Sequence, residues 1–138
     1  MDLIQWYQLA DVPFAKNLGI ELIKAGGDSL VGELMVEPRL CTLGGIAHGG
    51  ALAAFTDTLG ALLALANLPD GATTTTLEGK TNFLAAARAG TRIRGETTLL
   101  HRGRHVMVCE TRVSNPAGKM LAMTVQTQMI LRRDAARA

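Results

Sequence analysis

Aromatic side chains make up only 4% of the 138 residues, and net charge amounts to no more than +2. The first shortage removes the stacking platforms that single-stranded nucleic acids need. The second removes the basic stripe that a duplex needs, so no nucleic-acid partner is expected, although a local basic patch for a small anion stays open. Cysteine is scarce too. Cys41 and Cys109 stand in no CxxC or metal-type spacing, and with three His in the chain no metal site is expected. Two reduced thiols fit a cytoplasmic protein. The opening "MDLIQWYQLADVPFAKNLG" has no basic leader, long apolar run or small-residue cleavage site, so no signal peptide is expected. The longest apolar stretch, near residues 60–68, is too short to span a bilayer, and no membrane partner is expected.

What the chain does have is a core. Hydrophobic residues make up 48% and charged residues 19%, at the length of one ordinary domain spanning 1–138. The first dozen residues predict a short helix ended by Pro13. Two strand-like runs then flank Gly26-Gly27-Asp28, a hairpin signal, and Pro38 ends the second. A helix of about 18 residues is predicted from near Gly49 to Asn67, closed by Pro69-Asp70-Gly71. Four strands follow, in "TTTTLEGKTNFLAAA", "TRIRGETTLLHR", "HVMVCETRVS" and "KMLAMTVQTQMIL", before a polar tail expected to fray. A helix apolar nearly all round must be buried on most sides. One antiparallel sheet wrapped around it is the economical solution, an α+β arrangement.

The helix begins oddly. In "GGIAHGGALAAFTD" the glycines could be simple punctuation. They also leave Gly49 and Gly50 with bare N–H groups at the positive end of the helix dipole, a ready site for a carbonyl oxygen in acyl transfer. His48 fits a structural hydrogen-bonding role better than acid/base work. Asp57 is the one carboxylate within this helix, and an almost buried position is expected for it. Burial without partners is costly and makes a carboxylate a better base, able to activate water or attack an acyl carbon. Eight residues separate Gly49 from Asp57, about 12 Å of helix rise. One carbonyl cannot touch both, so a single reaction needs the two groups from two chains, in an isologous dimer.

Together with "TTLEGKTNFLAAARAG", "HRGRHVMVCETRV" and "GKMLAMTVQTQMIL", this motif resembles the hotdog-fold acyl-CoA thioesterases, in particular the phenylacetate-degradation (PaaI-like) and 4-hydroxybenzoyl-CoA subgroup. The resemblance implies a sheet wrapped around the helix and a dimer with shared sites, commonly paired into a tetramer. It makes Gly49 the oxyanion donor, Asp57 the nucleophile or base, Thr76 a hydroxyl that helps hold the water, and His48 a loop His near the thioester carbonyl. No cofactor is implied, since coenzyme A is part of the substrate. The turn Arg102-Gly103-Arg104-His105 matches a CoA-contacting turn, with Arg88 and Arg132 as weaker phosphate candidates. Two positions depart from the pattern. Thr42 stands where Asn is common, six residues before the His, and Ala86 stands where Pro is usual. Thr donates one hydrogen bond but cannot copy an amide.

Leu40, Leu43, Phe55, Leu59 and Phe83 are candidate acyl-pocket residues, though core packing is the simpler role for most of them. Gly60 and Ala61 offer room for an aryl or medium-chain acyl group. Hotdog dehydratases would need a different constellation, which is absent. A non-catalytic acyl-CoA binder or sensor uses the same pocket, and a purely structural β-rich oligomer would use the glycines only as corners.

Overall fold

A computed structural model describes residues 2–133; the expected frayed tail lies, from residue 134 on, outside the described residues. The elements run α1 (Leu3–Leu9), α2 (Pro13–Leu18), β1 (Glu21–Gly26), β2 (Ser29–Met35), α3 (Gly49–Ala66), β3 (Thr73–Phe83), β4 (Arg92–Arg102), β5 (Val106–Ser114) and β6 (Met120–Leu131). The predicted order of two strands, one long helix and four strands is therefore present. The N-terminus differs from expectation. Pro13 begins a second short helix instead of ending the first, because its fixed φ and missing N–H suit a first helical position.

The six strands form one antiparallel sheet in the order β1-β2-β4-β5-β6-β3. The α3 helix lies on its inner face. Phe55, Leu59 and Leu63 press into a core with Leu30, Leu34, Ile93, Val113 and Leu121, all nearly or fully inaccessible. The closest approach falls at Gly32 and Gly95, which face each other across β2 and β4. A Cβ on either would come within 2.5 Å of a Leu59 methyl, so both strands lack side chains where the helix touches them.

The α3 helix extends well before the 60–68 apolar stretch. Its 18 residues have a mean hydropathy of 1.5, enough by length and composition to cross a bilayer. Its contacts with five strands make it the core helix of this sheet. The other side of α3 meets α1 and α2. There Tyr7 is buried and donates its hydroxyl to the Ile20 carbonyl at 2.8 Å, tying α1 to the chain entering β1.

The β3 strand is an edge of the sheet, with β6 on one side and, among the described residues, no strand on the other. Most of its side chains are exposed, including Leu77 and Phe83.

Candidate active site

The start of α3 is held from three directions. The His48 N–H donates to the Leu40 carbonyl at 2.8 Å, and the Ala47 N–H to the Ala87 carbonyl at 2.7 Å. Isolated bridges join Cys41 to Ala47 and Ile46 to Arg88. His48 caps the helix, its Nδ1 accepting the Gly50 N–H at 2.7 Å. An accepting Nδ1 places the neutral ring's proton on Nε2, the other edge of the imidazole.

This corrects the expectation for Gly50. Its N–H is engaged by His48, so only one of the two glycine amides is bare. A Cβ at Gly50 would lie 2.9 Å from His48 Nδ1, so the missing side chain serves the cap. The Gly49 N–H has no acceptor among the hydrogen bonds of the described residues. The Phe83 ring stands over it, with Cε1 and Cζ both 3.4 Å from where a Gly49 Cβ would be. Thr42 is exposed on the preceding loop, its N–H bonded to the Ile46 carbonyl at 2.8 Å.

Asp57 is exposed in the single chain, contrary to the expectation of near burial. The sheet covers only one side of α3, and Asp57 faces along the rim beside β3. Its Oδ1 accepts a hydrogen bond from Thr76 Oγ1 at 2.9 Å. A β-bulge between Thr76 and Glu78 interrupts the β3–β6 register at this point and re-aims the strand. Two spaces meet at Asp57. One is a cleft of about 210 Å³ lined by Ala53, Thr56, Thr76, Thr81 and Gln126. The other is a groove of about 410 Å³ between α3 and the N-terminal helices, lined largely by Trp6, Val12, Phe14, Ala61 and Leu65.

The acyl-pocket candidates divide. Leu40, Phe55 and Leu59 are core residues, whereas Leu43 and Phe83 are 91% and 54% exposed. Ala61 lines the apolar groove, but the room at Gly60 is already filled. A Cβ there would lie 1.8 Å from Gln126 Nε2. Cys109 is also close, and its thiol is pushed up to about 11 by burial and then by the Asp57 charge.

Within one chain the turn of Arg102, Gly103, Arg104 and His105 is not beside Gly49. Arg102 lies 3.8 Å from Asp28 in the β1–β2 hairpin, and Asn67, at the far end of α3, donates to Gly27 of the same hairpin at 3.2 Å. Arg132 donates to the Arg104 carbonyl at 3.0 Å, so three arginines gather there. Arg88 lies at the Gly49 end, where it lines a small cleft with Asn115 and Lys119. Sequence reasoning missed Lys119 here, and it missed the buried Gln126 and Gln128. The alternation "TVQTQ", with its polar residues on the face that must point inward, was the available signal for the glutamines.

A six-stranded antiparallel sheet wrapped on one long helix is the architecture of the hotdog fold. The chain belongs to the thioesterase superfamily, whose family model matches residues 44–122. It is 31% identical over 104 residues to the proofreading thioesterase EntH of Cronobacter turicensis, covering 75% of each chain. Its structure superposes on the thioesterase HI1161 (EC 3.1.2.-) of Haemophilus influenzae with a TM-score of 0.88 at 25% identity, covering 96% of this chain and 92% of that one. A phenylacetic acid degradation-related protein of Ralstonia eutropha JMP134 superposes with a TM-score of 0.83 at 31% identity, covering 93% and 99%.

Proposed function

We propose that this enzyme hydrolyses acyl-CoA thioesters carrying an aryl or medium-chain acyl group to the free acid and CoA. The observation that carries the reading is the Thr76–Asp57 pair, placed where a polar cleft meets an apolar groove. The groove suits an apolar acyl group, and the cleft suits water. The Gly49 N–H and the His48 Nε2–H are donors for the carbonyl oxygen, whose negative charge grows as the carbon becomes tetrahedral. Asp57 then has two routes. As a base it takes a proton from water while the oxygen adds to the acyl carbon. As a nucleophile it forms an anhydride that water opens. In both routes the C–S bond breaks and the sulfur of CoA leaves and is protonated. No cofactor is required, because coenzyme A arrives with the substrate.

The site is shared between two copies of the chain. About 12 Å of helix separate Gly49 from Asp57, and β3 offers an 11-residue edge beside Asp57 that an antiparallel second copy would cover. A two-fold axis there brings Gly49 of one protomer beside Asp57 of the other. It also brings Arg88 of the first toward the same end as the partner's Arg102–Arg104 turn, a basic mouth for the CoA phosphates. Pairing of dimers into a tetramer rests on the family resemblance. The free thiols of Cys41 and Cys109 suit the reducing cytoplasm.

The test is release of free CoA from short, medium, long and aryl acyl-CoAs, with Asp57→Ala as the control. Steady turnover of aryl or medium chains supports the reading. Tight binding without release makes the protein an acyl-CoA sensor, and neither binding nor release removes CoA from its function.

A further inference from the structure

The β6 strand turns three polar residues, Thr124, Gln126 and Gln128, toward α3, where an apolar stripe would be cheaper. All three are at most 4% exposed; Thr124 donates to Thr56 Oγ1 at 2.8 Å, and the hydrogen bonds of the two glutamines form one connected path. Gln126 Nε2 donates to the Thr56 carbonyl of α3 at 3.0 Å. Gln128 Nε2 donates to Gln126 Oε1 at 2.7 Å and to Thr76 Oγ1 at 2.6 Å. Thr76 Oγ1 in turn donates to Asp57 Oδ1 at 2.9 Å.

The path has a direction that chemistry fixes from both ends. The Thr56 carbonyl can only accept, so Gln126 must turn its amide nitrogen toward it and its oxygen toward Gln128. Gln128 must then present its own nitrogen, whose two hydrogens serve Gln126 Oε1 and Thr76 Oγ1. Thr76 has a single proton. With an N–H already pointing at its oxygen, that proton is committed to Asp57. Gly60 makes the arrangement possible, because its missing side chain is the space that Gln126 fills.

We infer that Gln128, backed by Gln126, is a positioning residue that acts through Thr76: it locks the Thr76 hydroxyl as a donor to Asp57 Oδ1 and so leaves Oδ2 as the oxygen free for the reaction. The inference rests on Asp57 being the reacting carboxylate. Without Gln128 the Thr76 hydroxyl can rotate, and the carboxylate loses its fixed orientation. Substrate contacts are untouched, so the effect belongs in kcat and not in KM.

The experiment is a double-mutant cycle on the intact enzyme with a turned-over acyl-CoA, using Gln128→Leu, Thr76→Val and the pair. A hydrogen bond to a charged group is involved, so each single variant is expected to lower kcat about ten- to a hundredfold, with KM within about threefold. The pair is expected to be no worse than Thr76→Val alone, since Gln128 has nothing left to act through. Should Gln128→Leu not fold, Gln128→Glu keeps the shape but cannot donate to both acceptors, and the same loss of kcat is expected. Additive losses in the pair, or a wild-type kcat in a folded Gln128 variant, overturn the inference. Asp57→Asn is run alongside. If it retains wild-type turnover, the assignment of Asp57 fails, and that result is distinct from a silent Gln128.

Discussion

Asp57 carries the least ambiguous prediction at the scale of single residues. Asp57→Ala removes the only carboxylate among the described residues that line the two spaces, and it lies on the exposed rim of α3, so the fold has little to lose. Turnover is expected to fall by about three orders of magnitude or more with the melting temperature nearly unchanged, as for other groups that act directly on the scissile bond. Steady-state kinetics beside a thermal melt check this, and turnover within a few-fold of wild type removes Asp57 from the chemistry. Cys109 offers a second measurement. Burial, followed by the charge on Asp57, pushes its thiol up to about 11, so near pH 8 only about one molecule in a thousand carries a thiolate there. Alkylation of the native protein at that pH should therefore mark Cys41 and spare Cys109, and peptide mapping reads the two directly. Much of this residue-level picture was legible in the sequence. A lone carboxylate in an apolar helix and a His-Gly-Gly at its start are local signals. The engagement of the Gly50 N–H was not legible, because it depends on which way the His48 ring turns. Nor was the exposure of Asp57, since helix composition cannot say that the sheet wraps only one side.

At the scale of elements, the seat of α3 on the sheet is set by two glycines that face each other across β2 and β4. A methyl at Gly32 or Gly95 would meet Leu59 at 2.5 Å, and at Gly95 it would also meet the Phe55 ring at 3.1 Å. Gly95→Ala should then destabilise the fold by about 1–3 kcal/mol, the usual cost of overpacking a filled core. Denaturant unfolding measures it, and an unchanged midpoint would mean that α3 can lift without loss. The strands and α3 were readable because turn residues punctuate them and their apolar periodicity is strong. The pairing of Gly32 with Gly95 was not, because it is fixed by register between strands some 60 residues apart. The short α2 helix was missed for a different reason: Pro13 reads equally as a stop or as a first helical residue, and only the chain around it decides. The inward polar stripe of β6 went unread because the partners that make it tolerable, Thr56, Gly60 and Thr76, come from elsewhere in the chain.

For the whole molecule, the proposed two-fold axis makes claims that a single chain cannot satisfy. One concerns charge. The Arg102–Arg104 turn and Arg88 lie at opposite ends of one protomer, and the proposed two-fold axis would bring them together with the CoA phosphates as their joint task. Exposed cations contribute little each, and salt screens them. Arg102→Ala combined with Arg104→Ala should raise KM for acyl-CoA at low salt, lower kcat far less, and lose most of its effect as salt is added. An unchanged KM at low salt would exclude this turn as the phosphate site. The stronger claim concerns catalysis itself. If Gly49 of one protomer works with Asp57 of the other, each dimer holds two hybrid sites. A Gly49→Val protomer is expected to be inactive, because its side chain must enter the space against the Phe83 ring, 3.4 Å from the first added carbon. An Asp57→Ala protomer is expected to be inactive for want of the carboxylate. In a heterodimer of the two, both lesions fall in the same site, and the second site keeps an intact Gly49 and an intact Asp57. Co-expression with two different affinity tags isolates such heterodimers. They are expected to recover about half of wild-type turnover, one good site of two, while either homodimer stays silent. If the groups instead came from the same chain, each protomer would carry one lesion in its own site and no heterodimer could recover. Verified heterodimers without activity would therefore refute the shared site while leaving the fold and its family untouched.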